Sequence, residues 1–209
     1  MQSVARWCPL RVVAIPLCAC LIGFAALAAA SDGSVSGIPW NAATPLTWDL
    51  FRAPPPADAV NRTEAAAIHM TIRWHAQYSV VSNGGSSWTG HVQSVTVTNT
   101  MEPSLSWVVL GKADDRVLQH EQAHFDLNEV YRRKLEALLP CIQAQSVTKE
   151  GAIDALHAAL HRRANEVLLQ LQAAQAEYDA ETGHGSNLSG QARWEEQIAA
   201  WLRNAASAP

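Results

Sequence analysis

Hydrophobic and polar residues alternate with period two through the first half of this chain and recur at helical spacing through the second. Between Ala65 and Val81, Ile68, Met70, Ile72, Trp74 and Tyr78 share one face, with His69, Thr71, Arg73, His75 and Gln77 on the other. That alternation predicts a half-buried strand and makes His69 and His75 solvated sheet residues rather than ligands. Ser82-Asn83-Gly84-Gly85-Ser86-Ser87 has the composition of a turn. Val92 to Asn99 supplies a second alternating strand, and Trp107, Val108 and Val109 a short apolar segment. The expectation is an antiparallel hairpin or small sheet.

Arg116 to Leu139 contains neither Gly nor Pro, and Pro140 ends the run. Asp114 and Asp115 suit the N-terminus of a helix, by capping and by charge. Val117, His120, His124, Leu127 and Tyr131 form one stripe at three-to-four spacing, so both histidines share the apolar side. Lys149 to Ala180 carries Ile153, Leu156, Leu160, Ala164, Val167, Leu168 and Leu171 at helical positions. Glu181-Thr182-Gly183-His184-Gly185-Ser186 breaks it, and Gln191 to Asn204 forms a last amphipathic helix through Trp194, Ile198, Trp201 and Leu202. The pattern predicts an α+β domain over residues 40–209, a small antiparallel sheet followed by three helices.

The N-terminal region reads differently. Arg6 and Arg11 precede an apolar run from Val12 to Ala30, and Ala28-Ala29-Ala30 before Ser31 fits a small-residue cleavage site. Residues 1–30 are therefore read as a signal peptide and 31–39 as a flexible lead-in, giving a secreted or periplasmic protein with no stable membrane anchor after cleavage. Of the 4 cysteines, cleavage leaves Cys141, so no internal disulfide can form. Cys141 is expected to be a small buried residue, with a thiolate metal ligand or an intermolecular bridge as alternatives. The mature chain would carry 13 basic and 19 acidic residues, a net charge of −6. That balance argues against nucleic acid and against an anionic membrane surface as partners.

The chemistry is concentrated in His120-Glu121-Gln122-Ala123-His124. Residues i and i+4 of a helix share a face, so both imidazoles can reach one zinc ion. Glu121 is then beside the open coordination position, where it can act as general base toward a water. At this composition the pattern arises by chance only about 0.02 times per chain. Catalytic zinc takes three protein ligands, and two residues compete for the third place. Glu150 lies 26 residues past His124 with Asp154 one turn beyond, and His184 lies 60 residues past it between Gly183 and Gly185.

Three stretches together resemble one bacterial family: Trp48-Asp49-Leu50-Phe51, His120-Glu121-Gln122-Ala123-His124-Phe125-Asp126, and Tyr178-Asp179-Ala180-Glu181-Thr182-Gly183-His184-Gly185. It is a domain-of-unknown-function family described as predicted secreted zinc-dependent proteases. The similarity covers nearly all of the mature chain, through Gln191-Ala192-Arg193-Trp194. It implies a zincin-like metallopeptidase architecture with Zn2+ held by His120, His124 and His184, and Glu121 as general base. Asp126, Asp179 and Glu181 become candidates to orient the ligating imidazoles, and Tyr178 or Tyr131 to donate a hydroxyl to the oxyanion. The substrate would be a peptide or protein, including cell-wall peptide. The alternative is a non-catalytic envelope binding protein with a structural or absent metal, using the tryptophans of the strand region (Trp74, Trp88, Trp107) as its surface. Four protein ligands would favour the structural role, and three plus a water the catalytic one.

Overall fold

The computed structural model describes residues 12–13 and 37–209. The signal peptide expected over 1–30 lies outside the described residues except for Val12–Val13, and so does most of the lead-in. In chain order the strands are β1 (Val12–Val13), β2 (Ile38–Pro39), β3 (Ala66–Ala67), β4 (Met70–Ser82), β5 (Trp88–Met101), β6 (Trp107–Val108) and β7 (Gln143–Ser146). The helices are α1 (Asp115–Leu138), α2 (Lys149–Thr182) and α3 (Leu188–Arg203). The fold is mixed, a small antiparallel sheet and three helices, as the residue pattern predicts.

β4 and β5 form a long hairpin at the centre of a sheet ordered β1-β4-β5-β2, with β7 also on β5. Their pairing runs from Met70 opposite Met101 to Ser82 opposite Trp88, with a register shift between Gln77 and Tyr78. Ile72, Trp74, Ala76 and Tyr78, at every second position, are buried against the helices. β7 comes from a stretch, Gln143-Ala144-Gln145-Ser146, whose polarity gives no strand signal. It forms because the turn after α1 delivers the chain to the free edge of β5, where Gln143 to Ser146 pair with His91 to Trp88.

One predicted strand is divided. Between β3 and β4 the ladder stops at Ile68 and His69, because their N–H groups donate to side chains instead. Ile68 donates to Glu121 Oε2 at 2.8 Å and His69 to Ser106 Oγ at 2.9 Å. β3 pairs separately with β6. Neither His69 nor His75 is fully solvated as the alternation suggests; both are half-buried.

α1 is capped by Asp114, whose carboxylate accepts from the Val117 N–H at 2.9 Å. Its inward residues Ala123, Leu127, Val130, Tyr131 and Leu135 meet Leu156, Leu160, Ala164, Val167, Leu171 and Tyr178 of α2 and Trp194, Ile198 and Trp201 of α3 in the main core. A second cluster, including Leu46, Phe51, Ile68, Met101 and Phe125, holds residues 40–51, the N-terminal strap, on the other side of α1. α2, at 34 residues, is roughly 50 Å long. Gly90 of β5 lets its N-terminal half come close, since a Cβ there would sit 3.1 Å from Leu156 Cδ2. The far half runs antiparallel along α1, which places its last turns beside the two motif histidines.

Candidate metal centre

His120 and His124 are one turn apart on α1, their rings 4.6 Å apart between centroids and their Nε2 atoms 3.1 Å apart. The last turns of α2 bring Asp179 to the same point, with Oδ1 3.2 Å from His120 Nε2 and 2.9 Å from His124 Nε2. These three donor atoms form a near-equilateral triangle. Ligands about 2.0 Å from a tetrahedral ion are separated by roughly 3.3 Å, so the triangle matches one face of such a polyhedron. Two imidazoles and a carboxylate are a donor set suited to a borderline cation such as zinc, and these three residues can hold one.

The opposite nitrogen of each ring is occupied. His120 Nδ1 lies 3.2 Å from Gln191 Oε1, and His124 Nδ1 pairs with Gln175 Oε1. A proton on each Nδ1, donated to an amide oxygen, turns each Nε2 lone pair toward the shared point. Both amides are themselves fixed, Gln175 by donating to the His124 carbonyl at 3.0 Å and Gln191 by donating to Glu195 at 2.8 Å. Tyr178 stacks on His120 at 4.7 Å and donates its hydroxyl to Gln191 Oε1 at 2.9 Å.

Without a cation, the cluster is held by charge. Burial disfavours a charged His124, but the hydrogen bond and negative charge of Asp179 outweigh it, and the imidazole is pushed up to about 9. Burial also works against the Asp179 carboxylate, yet hydrogen bonds and charge from His120 and His124 hold it well below the usual carboxylate range. Glu121 is nearly inaccessible at 3 % exposure. Burial pushes its carboxyl up, opposed by the two histidines and by the Ile68 N–H.

His184 comes to the rim of this cluster. Its Nδ1 is 3.4 Å from Asp179 Oδ1, its Nε2 3.9 Å from Glu64 Oε1, and its ring 6.4 Å from that of His120. The set of donors lying within 4.8 Å of one another contains Asp179 and not His184. The competing Glu150 is excluded by length. It occupies the first turn of the same continuous helix that ends at Thr182, about 44 Å from Asp179 along the axis.

Other candidates have different roles. Asp126 accepts from Trp40 Nε1 and Gln122 Nε2, both at 2.7 Å, and so ties the N-terminal strap to α1. Glu181 binds Arg193 at 2.8 Å and Trp194 Nε1 at 2.7 Å, clamping α3 to the end of α2. Neither orients a ligand. The Tyr178 hydroxyl lies on the Nδ1 side of His120 and that of Tyr131 points to the Pro209 carbonyl at 3.3 Å, so neither can meet an oxyanion at the donor triangle. Cys141, expected to be buried, is exposed in the turn after α1, because Leu139 takes the core position there.

Sequence reasoning passed over Gln175 and Gln191, having sought carboxylates for that task. Gln175 had one signal, its place one turn before Asp179 on α2. No curated protein and no solved structure matches the chain. The match to a family model covers residues 47–185, more than half the chain, and includes Glu121, the three donors and His184 but ends short of Gln191. On that match the chain belongs to the bacterial family of unknown function DUF922.

Proposed function

We propose that this protein is an exported, zinc-dependent peptidase with His120, His124 and Asp179 as metal donors and Glu121 as general base. The observation that carries the reading is the triangle of three donors beside a buried glutamate. It has the composition of a catalytic site, three protein ligands with a fourth position left open, rather than that of a closed structural one. A zinc ion there would supply Lewis acidity toward a water and a peptide carbonyl. Glu121 accepts the proton from the attacking water and delivers it to the departing amine nitrogen. Its hydrogen bond to Ile68 fixes the carboxylate against the sheet. Gln175 and Gln191 keep the imidazole nitrogens turned inward.

Export follows from the reading of residues 1–30, with the periplasm or the cell exterior as the site of action. Among the described residues no helix is long and apolar enough to cross a membrane. Peptides of proteins or of the cell wall are the substrates that compartment offers. The test is Glu121→Gln, whose amide oxygen can still accept from Ile68. We expect about one zinc per chain by mass spectrometry in both proteins, and a loss of about 10²–10⁴-fold in cleavage of a mixed peptide library by the variant. Wild-type protein without zinc, or a variant as active as wild type, would overturn the assignment.

A further inference from the structure

His184 stands on a backbone that an ordinary residue avoids. Gly183, His184 and Gly185 have φ values of 55, 53 and 82°, and His184 is the only non-glycine with positive φ among the described residues. The left-handed conformation is disfavoured for a residue with a Cβ, which it brings too close to the following carbonyl oxygen. It is imposed by the end of α2: the N–H groups of Gly183 and His184 both reach the Asp179 carbonyl, and Asn187 N–H closes on Thr182. Gly185 then packs directly on His120, where a Cβ would come within 3.2 Å of the His120 Cβ. Strain of this kind persists where the surroundings over-determine it, and functional sites are where it collects. Here it aims an imidazole at the donor triangle.

The position of that imidazole is not that of a fourth ligand. A ligand completing the tetrahedron would lie roughly 3.3 Å from all three donors. His184 approaches only Asp179 at that distance and falls outside the mutually close set. It is also the most open of the three imidazoles, with 29 % side-chain exposure against 4 % for His120 and 12 % for His124. The open side of the triangle therefore has an imidazole at its edge, Nδ1 on the side of Asp179 and the Glu64 carboxylate 3.9 Å from Nε2.

We propose that His184 is a catalytic hydrogen-bond donor to the substrate's carbonyl oxygen, and that Glu64 is the residue positioning it. The inference rests on the peptidase reading above. When water adds to the carbonyl carbon, the C=O π pair moves onto oxygen. His184 donates a hydrogen bond to that oxygen without transferring its proton. Glu121 holds the proton from the water until the C–N bond breaks, and the amine nitrogen leaves with it. Removing one donor of this type costs about 10²–10³-fold in kcat.

The test uses the zinc-loaded mature protein, His184→Asn and Glu64→Gln. Asn is among the residues that best tolerate positive φ, so the turn is retained. The readouts are zinc per chain, turnover of a peptide cleaved by wild type, and affinity for a phosphinic Ala-Ala pseudo-dipeptide, which carries tetrahedral oxygens. We expect His184→Asn to keep one zinc per chain while binding the phosphinic probe about 100-fold more weakly. Glu64→Gln should keep zinc, lower kcat per zinc-loaded chain about 3–10-fold with KM unchanged, and weaken the phosphinic probe by a similar factor, an equilibrium affinity that a smaller folded fraction would not move. Loss of zinc in His184→Asn would make His184 a ligand and overturn the proposal, as would undiminished probe affinity. A wild-type protein that binds neither zinc nor the probe fails the peptidase reading itself, a separately visible result.

Discussion

Without a cation, the donor triangle is a pH-sensitive element of stability. In the metal-free fold His124 is raised from 6.5 to about 9, because Asp179 outweighs the burial that opposes its charge. A group raised by folding contributes stability that is fully present below its unfolded value, here about 6.5, and lost as pH climbs through about 9. The shift corresponds to roughly 3 kcal/mol, lost at up to about 1.4 kcal/mol per pH unit. Asp179 is the other half of the same interaction and is not counted again. Its lowered value means that its contribution exists above the ordinary carboxylate range and fades only as pH falls below it. Metal-free protein should therefore be most stable between about pH 4 and 6.5 and weaken toward pH 9. Urea unfolding in chelator, followed by tryptophan fluorescence at pH 6.5, 7.5 and 9, reads this directly, since Trp194 and Trp201 lie in the core. Asp179→Asn is the control that isolates the pair from other titrating groups. A zinc ion held there would have to expel the His124 proton, so on the proposed function its affinity should rise about tenfold per pH unit across the same window. A wild-type stability that is flat from pH 6.5 to 9, or a slope unchanged in Asp179→Asn, would refute the coupling.

The remaining predictions concern the supporting amides and the N-terminus. Gln175→Ala and Gln191→Ala should each weaken zinc binding about 10–100-fold in competition with a chromophoric chelator, and unchanged affinity would remove them from the metal's support. The intact mass of exported protein should begin within a few residues of Ser31, and a mass retaining Met1 to Ala30 would show an anchored protein instead.

What the residue pattern revealed depended on how local each feature is. The motif helix and its Asp114 cap were legible because helical spacing and capping are fixed within one or two turns. The β4 alternation was legible for the same reason. The break at Ile68 was not, because the competing acceptor, Glu121, lies 53 residues away in sequence. Asp179 was recognisable as an acidic residue of the site but not as a direct donor. That assignment depends on how α2 slides along α1, which the packing of Leu160, Ala164, Val167 and Leu171 decides. The two glutamines carried still less signal, since an amide on a helix surface reads as solvated until a neighbouring helix covers it. Cys141 was misjudged on composition alone, where the turn geometry of the residues around it had the final word.

The dependence of the site on packing can be put on a length scale. His120 and His124 belong to α1 and Asp179 to α2, joined by the apolar seam between the helices, the Gln175 and Tyr178 hydrogen bonds to α1, and the short β7 connection. The donors stand 2.9 to 3.2 Å apart, and a slip of one helical turn moves a residue by about 5.4 Å. No partial register would keep the triangle. The seam that stabilises the fold thus also sets the coordination geometry, and α3 enforces it by placing Gln191 behind His120 and Trp194 against Tyr178. The arrangement gathers two histidines, an aspartate and a buried glutamate into a region otherwise filled with leucine and tryptophan. Burying Glu121 costs free energy that its partners only partly offset, whereas His124 and Asp179 more than offset each other's burial. Binding of a cation to the folded state alone would return part of that cost, so a metal held there should contribute to folding as well as to the proposed chemistry.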